Sequence, residues 1–428
     1  ILAQAILAQA VFALEPRLLG PWSFYAVRLR LPLSEAFGRP AGGVLPAARK
    51  GTMVFRACGA FVGATLVMPV ALLGGLCGWS QSTPTVLWYR VSTSAKSLYS
   101  IFSLPQEDID EFLKSYDLFD KERIDAPEDA QNIVSYYKVI NHLCALGEVE
   151  KMYIPPVLDL KRGIFGNQML WEEKGMADKL NIGPGKKVLD VGCGRGRIAH
   201  HVASYTGADV VGLNIDKTQI AMARDYAEAT GASDKLRFVQ GNYNDPLPFA
   251  DETFDALYHV QALTYAKDLP ALLKDMHRVL KPGAKISFLD WFKLPNYDPS
   301  DSHHRKLLAD VKAVIGAVWT PAPEEYVLAL EQAGFKVISS QEASADGGHQ
   351  YPLLKQAEFF YESSKSIVAT LANLGLIPRH FDTLLTRLTQ GGQSFVEADK
   401  LSLFTTSWQI IAQKPYGRPA RAKREVVG

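Results

Sequence analysis

Cysteine is scarce in this 428-residue chain, and Cys58, Cys77, Cys144 and Cys193 stand far apart with no CxxC pair. That spacing argues against a cysteine metal framework and gives no support for a disulfide scaffold, so a reduced or membrane-facing compartment is the simpler setting. Net charge is also nearly absent, at +1, so no global field points to nucleic acid. No internal repeat is visible. With 47% hydrophobic and 21% charged residues the chain is an ordinary foldable one, long enough for two domains or for one with extensions. It begins with Ile1 rather than Met, which reads as a fragment or a processed product.

Charge is missing altogether from Ala57–Trp79, "ACGAFVGATLVMPVALLGGLCGW". As a helix this run would measure roughly 34 Å, close to a bilayer core. Its glycines and Pro69 are tolerated in membranes but weaken a soluble helix. Ile1–Leu14 is apolar yet short for a span, and the arginines between it and Ala57 give the region an organelle-targeting character as well. Residues 1–105 therefore read as an N-terminal extension with a membrane or targeting segment at 57–79, and residues 80–105 as a connector. Residues 106–180 read as a helical lead-in and acceptor-side cap. The basic tail 416–428 reads as solvated.

From Lys186 the pattern changes. "KKVLDV", "ADVVGLN", "LRFVQG", "FDALYHV" and "AKISFLD" read as strands, with "RIAHHVASYT", "TQIAMARDYAEAT" and "LPALLKDMHRVL" as helices between them. "GFKVISS" and "FTTSWQIIAQK" complete a doubly wound, mostly parallel sheet, with 355–400 as a helical insertion in a domain spanning 181–415.

The glycine loop lacks two familiar signatures. A dinucleotide turn needs G-x-G-x-x-G, but the third site is Arg197. No G-K-[ST] follows, so a P-loop is excluded. What stands there is Gly192, Gly194 and Gly196 behind Asp190. At the next strand ends lie Asn214 and Asp216, within reach of ribose hydroxyls, and then Asn242 and Tyr243 near an adenine. "DVGCGRG" resembles motif I of the class I S-adenosyl-L-methionine (SAM)-dependent methyltransferases, a Rossmann-like fold with a seven-stranded sheet. "VGLNIDKTQI", "FLDWFKLPNYDPSDSHHRKL", "LEQAGFKVI", "HQYPLL" and "FTTSWQIIAQKP" are similar to the sterol C-24 methyltransferase branch, a neighbour of the cyclopropane fatty acid synthases. The likeness covers roughly residues 130 to 415.

The resemblance implies that Asp190, Gly192, Cys193, Gly194 and Gly196 flank the methionine part of SAM, that Asn214, Ile215 and Gln219 hold the ribose, and that Asn242 and Tyr243 pack on the adenine. It implies a methyltransferase acting on a sterol or other isoprenoid lipid; separately, no metal is expected, because His303 and His304 have no further ligands at suitable spacing. The acceptor side departs from the family. The aromatic Tyr-Glu-Phe-Gly-Trp-Gly segment is replaced by a stretch holding Tyr153, Phe165 and Trp171. The Glu and His after the fourth strand are replaced by Gln261 and Tyr265. Glutamine cannot be a base, and Tyr265 would need a strongly lowered pKa. Gln261 is also counted on the cofactor side; it, Tyr265 and His349 are the catalytic candidates. Tyr153, Trp291 and Tyr351 are the candidate walls of a lipid pocket. Arg197 is expected in solvent, and His200, His201, His303 and His304 as packing or surface residues. The alternative expectation is an accessory subunit of a membrane complex that keeps the fold without the chemistry. Either way the setting expected is an endoplasmic reticulum or organelle (plastid or mitochondrion) membrane.

Overall fold

The computed structural model describes residues 84–146, 151–345 and 348–416. The apolar run 57–79, the charged region before it and the tail 417–428 lie outside the described residues, as do the expectations placed on them. Among the described residues no helix is long and apolar enough to cross a membrane.

The first element corrects the sequence reading. Residues 84–102 are not a connector but helix α1 (Pro84–Phe102). Its serines and β-branched residues give weak helix propensity, so tertiary packing carries it. It lies on α3 (Pro127–Leu146), which follows α2 (Gln106–Ser115), and it also reaches α6, described below. These helices bury Ile101, Phe112, Phe119 and Ile140 in a core of their own. Helix α4 starts at Gly163–Leu170, widens into a π turn over Trp171–Ala177, and ends at Leu180.

The sheet then builds outward. In chain order come β1 (Lys187–Val191), α5 (Arg197–Thr206), β2 (Asp209–Asn214), α6 (Lys217–Ala229), β3 (Leu236–Gln240) and β4 (Phe254–Val260). Next are α7 (Leu269–Val279), β5 (Leu280–Lys293), α8 (Ser302–Ile315), α9 (Pro323–Gln332) and β6 (Lys336–Glu342). Helices α10 (Tyr351–Asn373), α11 (His380–Thr389) and α12 (Gly392–Lys400) form the expected insertion before β7 (Phe404–Gln413). The seven strands run in the order β3-β2-β1-β4-β5-β7-β6. β1 to β5 pair in parallel, while β7 lies antiparallel to both β5 and β6. Pro282 and Gly283 lie inside β5, where a register shift opposite Phe254/Ala256 absorbs them.

Both faces of the sheet are covered. Phe254, Phe288, Met276 and Leu330 fill one side, and Val188, Val202, Ala223 and Tyr258 the other. Burial on both faces explains why β1 and β4 are largely apolar rather than alternating. Strand order reverses between β1 and β4, so the crevice beyond their C-terminal ends is where this topology receives ligands. The α1–α3 cluster also takes in Tyr265 and Val318 from the loops at that edge, which brings the helical cap over the crevice.

Candidate functional site

A single cavity occupies this edge. Its floor is the glycine loop and the ends of β2, β4 and β5, and its roof is α3 with the segment 151–154. Gly192, Cys193, Gly194, Asn214, Ile215, Gln219, Asn242, Tyr243 and Gln261 all line it, as do Tyr153, Tyr265 and Trp291.

The loop's glycines do different jobs. Gly194 has φ +52, and a Cβ there would meet nothing nearer than Gln219 Oε1 at 3.9 Å. The absent side chain leaves open cavity beside the loop, a cradle that fits a bound cofactor tail. Gly196 does not line the cavity. It caps α5 at φ +71, and a Cβ would stand 2.6 Å from Phe238 and 2.9 Å from Ala223, so it sets helix-to-sheet packing.

Asp190 is likewise displaced from its expected role. It lies outside the cavity lining, buried at the end of β1, and accepts a hydrogen bond from Tyr258 (3.1 Å). Burial, with the neighbouring Glu172, pushes its carboxyl up to about 8. Glu172, on the π turn, is fully buried, pairs with Lys151 at 2.5 Å and accepts from Tyr153 at 2.7 Å. Asp216 accepts from the backbone N–H groups of Thr218 and Gln219, capping α6 rather than facing a ribose.

Three amides, two from the β2–α6 turn and one from distant α3, are threaded together. Asn214 donates to Gln219 (2.6 Å), and Gln219 donates to Asn141 of α3 (2.7 Å). Asn141 is buried and its Nδ2 has no hydrogen-bond partner. A buried donor left unpaired is costly, and an amide chain ending in one beside this crevice fits a ligand rich in hydroxyls and ring nitrogens. The glycine cradle and this donor set fit SAM. Sequence reasoning missed Asn141, because nothing local in α3 marks it.

Arg197 is not in solvent. It is 7% exposed, with its guanidinium 3.3 Å above the Tyr226 ring and donating to Tyr89 of α1 at 3.2 Å. Aromatic faces offset the unfavourable charge at a helix N-terminus. Cys193 is buried, and burial raises its thiol well above the ordinary range, which removes it as a nucleophile.

The catalytic candidates fare poorly as bases. Gln261 sits at φ +47 and is fully committed: it accepts from Ile154 N–H and donates to the carbonyls of Ile154 and Thr406 (both 2.7 Å). It is a clamp tying the roof and β7 to the end of β4. Tyr265 donates to the Gly316 carbonyl at 2.6 Å, and burial raises its pKa instead of lowering it. His349 and Tyr351 lie off the cavity, meeting edge to face near Asp399. His349 precedes α10 and Tyr351 opens it, where its ring packs behind the cavity wall on the cluster of Trp291, Leu354 and Phe404. His200, His201, His303 and His304 are absent from the lining as well. His201 approaches Glu173 at 3.1 Å and His303 approaches Glu397 at 2.9 Å.

The lining does contain a carboxylate that sequence reading passed over: Asp290, near the C-terminal end of β5, buried between Leu289 and Trp291. Its signal was a lone acid inside the apolar run "SFLDWF". The rest of this half is aromatic and aliphatic. Tyr136, Tyr137 and Tyr265 meet edge to face, Trp291 donates to Thr320, and Ile124, Ile133 and Leu388 complete the wall.

Comparison with known proteins places the chain among methyltransferases. Residues 189–288 match the profile of a family described as a methyltransferase domain. The chain is 30% identical over 271 residues to sterol 24-C-methyltransferase ERG6B of Gibberella zeae, covering 59% of this chain and 71% of that one. It is 29% identical over 254 residues to cycloartenol-C-24-methyltransferase 1 of Oryza sativa subsp. japonica, covering 57% and 74%. Among solved structures, that of the [4+2]-cyclase SpnF is similar in fold, with a TM-score of 0.53 at 20% identity over 69% of this chain and 100% of that one.

Proposed function

Because this chain belongs to the sterol 24-C-methyltransferase family of SAM-dependent methyltransferases, we propose that it methylates the side-chain double bond of a sterol or related isoprenoid lipid. The observation that carries the reading is one continuous cavity with two chemistries. Backbone and amides line the glycine-loop half, and aromatic and aliphatic side chains wall the half beneath α3.

SAM, when bound, supplies an electrophilic methyl group. Gly194, Asn214, Ile215, Gln219 and Asn242 are placed to hold it, with Asn141 anchoring Gln219 from above. The protein's part is alignment: holding a weak carbon nucleophile in line can contribute about 7–11 kcal/mol. Tyr136, Tyr137, Tyr265 and Trp291 wall this half, exclude water and supply aromatic rings near positive charge developing on the acceptor. No comparison supports the accessory-subunit alternative.

The test is incubation with cycloartenol and methyl-labelled SAM. One labelled methyl on the sterol side chain is expected. SAM binding without transfer to cycloartenol, or to any sterol or prenyl-lipid extract, would sink the acceptor assignment. With so apolar an acceptor and the uncharged run 57–79, we also propose that the protein works at an endoplasmic reticulum or organelle membrane. Alkaline carbonate extraction should leave it in the pellet, and release into the supernatant would refute this.

A further inference from the structure

We propose that Asp290 is the proton acceptor that completes the reaction, replacing the acid that the family carries where Gln261 stands here. The proposal rests on the alkene-methylation reading above. Among the described residues lining the cavity, Asp290 is the sole carboxylate. It stands at the C-terminal end of β5, beside Trp291 and across from Gln261 at the end of β4, within the acceptor half.

Its surroundings among the described residues give the carboxyl hydrogen-bond donors, the backbone N–H of Leu263 among them, but no cation. One oxygen accepts from Trp291 N–H at 2.9 Å. The other is 3.7 Å from Nδ1 of His259, a fully buried β4 residue whose two ring nitrogens have no hydrogen-bond partner. Tyr326 of α9 approaches the same carboxyl without closing a well-formed hydrogen bond, and Tyr243 faces it from the loop after β3. Among the described residues no lysine or arginine pairs with it. Burial holds His259 neutral, with its pKa pushed down to about 3, so the imidazole gives the carboxylate no compensating charge. Burial without a cation pushes Asp290 up to about 7, the range in which a carboxyl exchanges protons at neutral pH.

The chemistry balances. The acceptor's π pair forms the new bond to the methyl carbon, and the methyl–sulfur pair departs with S-adenosylhomocysteine. The acceptor is left with a cationic carbon. An adjacent C–H bond breaks, its electron pair closes the new double bond, and the proton goes to an Oδ of Asp290. Gln261 has no basic atom to offer, and the Tyr265 phenol is committed to Gly316.

The test compares wild type, Asp290→Asn and Asp290→Glu with cycloartenol and labelled SAM, scoring methylated alkene against methylated alcohol, the product when water captures the cation. Asp290→Asn should lose alkene by about 100-fold or more and accumulate alcohol, and Asp290→Glu should recover part of the alkene. An unchanged alkene-to-alcohol ratio in an Asp290→Asn protein that still binds SAM would overturn the proposal. A second readout needs no acceptor: infrared titration of the carboxyl band that Asp290→Asn abolishes. A midpoint near neutrality supports the assignment, and one near the ordinary carboxylate value of about 4 overturns it. If wild type fails on cycloartenol while this band titrates near neutrality, the acceptor reading alone falls.

Discussion

The two halves of the cavity are built by different means. The cofactor half is made by short segments in register with the sheet. Gly192, Gly194, Asn214 and Asn242 sit at the ends of neighbouring strands, so the sheet itself brings them together. The acceptor half is collected from α3 and the segment 151–154 that follows it, the loops after β4 and β5, and α11, pieces spread over more than half of the chain. One half uses backbone geometry, which tolerates almost no substitution. The other uses side chains whose roles depend on partners far along the chain.

Substitutions can break this contrast in graded fashion. The largest effect is expected at Gly196. Gly196→Ala drives a Cβ into Phe238 and Ala223 at a positive φ, and should cost about 3–4 kcal/mol, read as lost denaturant stability. On the acceptor side, Gln261→Ala removes the clamp on Ile154 and Thr406 and should cost about 2–3 kcal/mol of stability. Gln261→Glu should not raise activity if the residue is only a clamp. An increase in methyl transfer by Gln261→Glu would show that this position still belongs to the chemistry.

Burial of one acid in the cavity wall and another behind the glycine loop makes stability depend on pH. Asp190 and Asp290 bind protons in the folded state with pKa values raised to about 8 and about 7, against an unfolded value of 3.8. Their contribution is therefore greatest at low pH and is lost as pH rises through those values. His259, depressed to about 3, opposes this below its ordinary value of 6.5 by favouring the fold as pH rises. Above 6.5 the acids act alone. From pH 6.5 to 8 the ligand-free protein should lose about 2 kcal/mol, with Asp190→Asn removing most of the slope. A flat melting profile over that window would refute the assignment.

Two smaller effects sharpen the comparison. Gly194→Ala faces open cavity, so it should cost only about 1 kcal/mol of stability while weakening SAM binding in calorimetry. Tyr89→Phe removes the hydroxyl that receives Arg197 and reaches Met222, which should cost about 1 kcal/mol and loosen α1, seen as faster amide exchange.

How much of this was legible follows from the same contrast. The seven strands and the glycine loop were readable because strand alternation, helical periodicity and loop glycines are local properties. Helix α1 was not, since "PTVLWYRVSTSAKSLYSIF" has poor intrinsic propensity and is held by α3 and α6. Arg197 looked like a surface residue because its aromatic partners, Tyr89 and Tyr226, are supplied by other helices. His349 was drawn toward the site by resemblance, while the path of the insertion takes it elsewhere.

By itself the sequence determined the sheet, the turn that receives a cofactor, and the loss of the family's acid after the fourth strand. Tertiary structure decided what replaced it. Whether a carboxyl is a base, a buried proton holder or a helix cap depends on water and neighbouring charge. Asp290, Asp190 and Asp216 carry the same side chain and were sorted into those three roles by packing alone.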